Sequence, residues 1–469
     1  MDKREPGASR RDFLKLTGGA LGGVMLGASV GCGGGGNVFA RGGGPGVGDP
    51  LPGTPLPSGY LFYRVFTPQA GNNLFPDLNT LSGGVFNNDA TIVFHGNRST
   101  GQNAVYTLQL QYNGSAAPTI VDSSILISEG DTQAGLPVTK LISASVNNGG
   151  LFGPSFGSVV AAVETEGNPY GTVANNAGTP AVLLSPNGGN FERVVGHYDP
   201  APGGGNFGAH FGDVAIDENN NIVVVSDFSR NTPQGVVVSQ GVFYLPNGMT
   251  PAQGTLLAET AATGSTDSSL PVRFGRVDFD NGGNFLVQAF APDSSGLRDA
   301  KGGKVVRSGV LAGKVGHAPE LLAGTMGNRR SRYSSGGNVI MGPRIRNNVA
   351  SVVTHTSDTS MTLNVGGTTL ASTGGQSPNG NTIISVNPAS VSSNGLAHYL
   401  VTHATGVELI VSNGTQQKTI LNYGDSVSGT PIQGVVHGFH SHQSDSQGRI
   451  VLVGEFADGS QSIVVGIPV

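Results

Sequence analysis

Residues 196–228, GHYDPAPGGGNFGAHFGDVAIDENNNIVVVSDF, decide how this chain is built. The stretch reads as a Gly/Pro-rich turn (Asp199 to Gly205) and a strand (Phe207 to Ile216). A tight polar turn (Asp217 to Asn220) then leads into a second strand (Ile222 to Ser226). An Asp or Asn that opens a four-residue turn can cap its own backbone, and Gly in fourth place accepts a positive φ. The aliphatic run IVVV that follows suits a strand buried on both faces. The unit is a hairpin with a chemical reason for each bend.

Looser copies recur along the chain, and two landmarks alternate. One is a G-D-x-x-x-G loop, clearest at Gly48-Asp49…Gly53, Gly130-Asp131…Gly135 and Gly424-Asp425…Gly429, with a close relative at His197 to Gly203. The other is the polar turn before a β-branched strand. Its last residue falls at 90, 157, 220, 283, 348, 395 and 448, in steps of 47 to 67 residues. Each of the seven units has room for about four strands; unit three shows GAHFGDVAID, NIVVVSDF, GVVVSQGVFYLP and GTLLAET. Repeats of this length predict an all-β fold, a β-propeller of seven blades, each of about four antiparallel strands. A linear β-solenoid would need a shorter, more regular period and stands second.

The last unit stops at QSIVVGIPV, one strand short, while Tyr60–Phe66 (YLFYRVF) is a spare strand ahead of the first unit. This N-terminal strand is predicted to complete the last blade and close the ring. The chain accordingly divides into a leader (1–32), a Gly/Pro-rich flexible linker (33–58) whose composition cannot offset its ordering entropy, and the repeat domain (59–469).

Composition agrees. Gly accounts for 76 of 469 residues and charged residues for only 12%, which favours short strands and many turns over long helices. A net charge of -5 gives no case for nucleic acid. Arg329, Arg330, Arg332, Arg344 and Arg346 form a local basic group, read as a solvated surface because no aromatic residues interleave. With one cysteine, Cys32, disulfides within the mature chain are excluded.

Ser9-Arg10-Arg11-Asp12-Phe13-Leu14-Lys15 matches the twin-arginine export signal, S-R-R-x-F-L-K, with Arg10, Arg11, Phe13 and Leu14 at its specified places. The uncharged segment after it is too short and too weakly apolar for a membrane span. The expected partner is the twin-arginine translocation machinery. Ser29-Val30-Gly31-Cys32 reads as a lipoprotein cleavage box, so that a lipid on Cys32 would hold the chain at the membrane without a spanning helix. Cleavage after Val38-Phe39-Ala40 is the alternative.

With these residues in view, the chain resembles the bacterial tandem-repeat surface proteins of choice-of-anchor type, defined by N-x-x-G-x-x-x-F repeats. Asn87…Phe94 keeps the first and last letters of that motif, and Asp280-Gly283-Val287 and Asp445-Gly448-Leu452 keep the Gly. The resemblance spans most of residues 46–469. It implies propeller-like repeats at the cell surface and supplies no catalytic residues.

His437, His440 and His442 are the candidate metal ligands, since His440 and His442 share one face of an extended strand. Channel-lining polar side chains or a satisfied loop are the preferred reading of the three. The G-D-x-x-x-G aspartates, one carboxylate per loop among Gly and Pro, read as turn formers rather than calcium ligands. Gly203-Gly204-Gly205 lacks the Lys-Ser/Thr of a phosphate loop, and no G-x-S-x-G or H-E-x-x-H occurs. No cofactor and no catalytic residue is predicted. The expected function is an exported binding or structural module at the envelope, with a protein or glycan ligand. The alternative is a propeller hydrolase or lyase with its site at the channel mouth. Charged groups converging from different blades would favour the enzyme, and a channel of Ser, Asn and Gly the binder.

Overall fold

A computed structural model describes residues 49–68, 74–86, 91–146, 158–165, 179–186, 189–233, 235–261, 271–292, 306–324, 338–339, 343–357, 360–435 and 443–469. These form seven antiparallel sheets arranged as a seven-bladed β-propeller. Blade 3 shows the plan: Asn206–Ile216 is innermost, followed outward by Ile222–Thr232, Gly235–Leu245 and Thr255–Glu259. The other inner strands are Leu78–Phe86 (blade 1), Leu136–Val146 (blade 2), Arg273–Phe279 (blade 4), Arg344–Arg346 (blade 5), Ser390–Val391 (blade 6) and Thr430–Val435 (blade 7).

The aliphatic runs are buried on both faces because alternate side chains serve different neighbours. In blade 3, Ile222 and Val224 pack toward blade 2, whereas Val223 and Val225 pack toward blade 4. In blade 1, Phe94 turns to blade 7 and Val93 to blade 2. Seven apolar clusters result, one at each boundary between consecutive blades, including that between blades 7 and 1. The cores are thin, as 37% apolar content requires.

The polar turns form as the sequence implies. Asp217 Oδ1 accepts from the backbone N–H groups of Asn219 and Asn221, Asp280 Oδ1 from Gly282 and Asn284, and Asp445 Oδ1 from Gln447 and Arg449. The fourth residues, Asn220, Gly283 and Gly448, have φ of 64°, 75° and 76°. The first two turns of the series, ending at 90 and 157, lie outside the described residues.

The ring closes where the sequence places its clasp. Tyr60–Phe66 runs antiparallel to Gln461–Pro468, from Tyr60 opposite Pro468 to Phe66 opposite Ile463. Arg64 fastens it: its guanidinium reaches Thr430 Oγ1 (3.0 Å), Ser460 Oγ (2.7 Å) and the Asp458 carboxylate (3.1 Å), and lies 4.1 Å from the centre of the Phe456 ring.

One boundary shifts. Residues 49–58, assigned from composition to the flexible linker, form a strap across blades 5 and 6. Asp49 N–H donates to Asn348 O (3.1 Å), Leu51 joins the cluster between those blades, and Asn413 Nδ2 donates to Thr54 O (3.0 Å). The reason is local. A Cβ on Gly366 would lie 2.3 Å from Asp49 O, and one on Gly395 would lie 2.1 Å from Pro52 Cγ, so these two glycines open the groove that holds the strap.

Candidate ligand site at the ring axis and loop face

Ser143, Asp213 and Arg276 hold the same place, three residues before the end of the inner strand, in blades 2, 3 and 4. Ser143 Oγ donates to Asp213 Oδ1, and Val277 N–H donates to Asp213 Oδ2 at 3.1 Å. One boundary on, Ile345 N–H donates to Asp278 Oδ2 at 2.7 Å. Both carboxylates therefore tie an inner strand to the next blade. Arg276 is exposed. Burial lowers the pKa of the neighbouring Arg344, with Arg276 acting in the same direction and Asp278 and Asp213 against it.

Between blades 1 and 2 lies a polar cavity of about 140 Å³, lined by Ser82, His95, Asn103, Leu141 and Ser143 among others. Burial, with the charge of Arg276 adding, pushes the His95 imidazole down to about 4, so the ring is neutral at pH 7. The cavity is smaller than the ~300–1,000 Å³ of ordinary ligand pockets and suits waters or a small fragment.

The two faces of the ring differ. The polar turns and the strap share one face. Among the described residues, the other carries loops that lead from an outer strand to the next inner strand. Three of these loops are built alike. Asp131 Oδ2 accepts from Ser128 N, Asp199 Oδ2 from Gly196 N and Asp425 Oδ2 from Asn422 N, at 2.7–2.8 Å. Their carboxylates cap the turn, as the turn-former reading requires. In each loop the residue before the Asp donates its N–H to the incoming strand: Gly130 to Val138 O, Tyr198 to Phe207 O and Gly424 to Ile432 O.

His437, His440 and His442 lie outside the described residues, as do Arg329, Arg330 and Arg332. So do Arg10, Arg11, Phe13, Leu14 and Cys32. Among the described residues, no group of three His, Cys, Asp or Glu is placed to hold a metal ion. The solvated-surface reading fails for Arg344 and Arg346. Arg344 stands on an inner strand, and Arg346 is buried, donating to Ser444 O (2.9 Å) and Ser393 Oγ (2.8 Å). The lack of interleaved aromatics carried no information on burial here, because Arg344–Arg346 is a short inner strand. Sequence reasoning also missed Asp213 and Arg276. A signal was present: FGDVAID and FGRVDFD match at Phe, Gly, Val and the closing Asp but switch Asp for Arg between them. A position that changes charge between matching repeats is not held by packing.

No protein-family model matches the chain, and no curated protein matches it. Among solved structures, an acylaminoacyl peptidase of Pyrococcus horikoshii is similar at 9% identity over 83% of this chain, with a TM-score of 0.41; the chain spans 52% of that protein. A family 93 α-L-arabinofuranosidase of Fusarium graminearum, solved with arabinobiose, matches at 11% identity over 87% of this chain and 96% of its own, TM-score 0.32. The six-bladed β-propeller lectin of Aleuria aurantia, solved for its fucose recognition, matches at 10% identity over 76% of this chain and 98% of its own, TM-score 0.32.

Proposed function

We propose that this chain is an exported, lipid-anchored propeller that binds a ligand at the cell envelope without transforming it. Its placement rests on the twin-arginine motif around Arg10 and Arg11, on Cys32 at the end of the leader, and on the likeness of its repeats to the N-x-x-G-x-x-x-F surface proteins. One observation supports binding over catalysis. The inner-strand carboxylates Asp213 and Asp278 accept backbone N–H groups across blade boundaries and act as struts. A general acid or base needs a carboxyl free to exchange a proton with substrate.

The enzyme reading has one observation in its favour: Asp213, Arg276 and Asp278, on the inner strands of blades 3 and 4, all act on the charge of Arg344 in blade 5. Mass spectrometry of protein purified from membranes, with whatever co-purifies, separates the two. The expected result is a lipid-modified N-terminal Cys32 and a bound envelope component recovered intact after incubation. An unmodified terminus at Arg41 would remove the anchor. A co-purified component converted to product on incubation would establish the hydrolase or lyase instead.

A further inference from the structure

Tyr198 occupies a backbone position built for glycine. The loop at Asp199 has the same carboxylate cap and the same exchange with the incoming strand as the loops at Asp131 and Asp425. The corresponding residues there are Gly130 and Gly424, with φ of 94° and 87°. Tyr198 holds φ of 69° at this place. A bulky L-residue there meets its own carbonyl, a penalty that glycine avoids, and such strained positions gather where a side chain is needed for function.

The side chain so held is presented rather than packed. Tyr198 is 48% exposed. One face of its ring lies against the His197 imidazole, 3.7 Å between centroids and 20° between planes, which leaves the opposite face for solvent. His197 stays neutral at pH 7, because burial lowers its pKa. Arg193 and Asp199 of the same loop region are paired with each other at 2.9 Å. The result is a flat, uncharged, two-ring platform on the loop face, opposite the face that carries the strap.

We infer that the stacked His197–Tyr198 pair is a contact platform for a saccharide, taking the C–H face of a pyranose ring on the open side of Tyr198. An aromatic ring has a negative face, which attracts the polarised C–H bonds of a sugar, while the phenol and imidazole edges meet its hydroxyls. A proline-rich peptide would need an aromatic-lined groove, and this ring pair stands on an exposed loop. The inference rests on the binding reading above and names the ligand class for it. If the anchor holds the strapped face toward the membrane, the platform faces away from it.

The test uses the mature chain with cellotriose, chitotriose and mannotriose as probes in saturation-transfer NMR, beside thermal unfolding. At least one trisaccharide should bind with transfer to ring C–H protons. Tyr198→Gly should weaken that binding tenfold or more while leaving Tm unchanged or raised, because strain is relieved. Tyr198→Trp should bind as well as the parent. Absence of binding by all three sugars, or binding indifferent to Tyr198→Gly, overturns the inference. So does a Tm several degrees lower in Tyr198→Gly, which would make the tyrosine a folding residue. A non-saccharide envelope ligand whose binding is lost in Tyr198→Gly would overturn the sugar class and leave the binding function standing.

Discussion

His398 shows how single side chains are committed in this fold. It is fully buried in blade 6, with Nε2 2.8 Å from the Tyr60 hydroxyl and Nδ1 3.0 Å from Ser444 Oγ. Tyr60 also donates to Gly448 O at 3.1 Å, and Ser444 Oγ donates to Ser390 Oγ at 3.2 Å. The ring ties blade 6 to the closing strand and to the Ser444 turn of blade 7. Burial pushes its pKa down to about 3. A folded value below the unfolded 6.5 means that the unfolded chain takes up the proton first. The contribution is therefore complete above pH 6.5 and is lost progressively as pH falls toward 3. Unfolding free energy measured from pH 7 to 4 should fall more steeply in the parent than in His398→Gln, by up to about 1.4 kcal/mol per pH unit. Parallel pH profiles would contradict this account. The network was illegible in the sequence because Tyr60 lies 338 residues from His398, His398 lies 46 from Ser444, and the three share no motif. For the same reason Asp213 and Arg276 emerge only once the inner strands are brought side by side.

Among elements, those decided by local chemistry were the readable ones. The Asp-led turns at 217, 280 and 445 follow from a side chain reaching its own backbone, which needs no distant partner. Composition misled over residues 49–58. A Gly/Pro-rich segment lacks apolar surface to bury, yet this one is held by backbone polar groups and by grooves at Gly366 and Gly395. The two kinds of Asp-led turn also carry unequal weight. Asp280 is buried and accepts from Gly282 N, from Asn284 N and, across the blade boundary, from Asn348 N at 2.9 Å. Asp425 is exposed and accepts from Asn422 N. Leaving buried donors without a partner costs about 1–3 kcal/mol, whereas exposed ones turn to water. Denaturant unfolding should show Asp280→Ala destabilised by at least ~2 kcal/mol and Asp425→Ala by under ~1 kcal/mol. Equal losses would mean that the boundary contact contributes nothing.

For the whole molecule, closure decides stability. Seven apolar interfaces serve seven blades only if blade 7 also covers blade 1, and the closing strand takes part in both of its boundaries. Tyr63, Val65 and Phe66 pack into the cluster between blades 7 and 1, and Tyr60 and Phe62 into that between blades 6 and 7. Repetition made the seven-bladed ring readable from sequence, because the missing last strand and the surplus first strand could be counted. The edges of a sheet carry unpaired N–H and C=O groups, so an opened ring exposes a ladder as well as an apolar face. At about 1.5–3 kcal/mol for each buried large apolar side chain, the strand contributes several kcal/mol against a total stability of about 5–15. The strap contributes less, a few hydrogen bonds and Leu51.

Thermal unfolding of three nested deletions in the mature chain tests closure most directly. Removing residues 33–48 should leave the melting curve of the parent. Removing 33–58 should lower Tm by a few degrees as the strap is lost. Removing 33–66 should abolish cooperative unfolding or lower Tm far more than the strap does. If the chain without residues 33–66 melts like the parent, the N-terminal strand does not close the ring, and the seven-bladed closure described here is wrong.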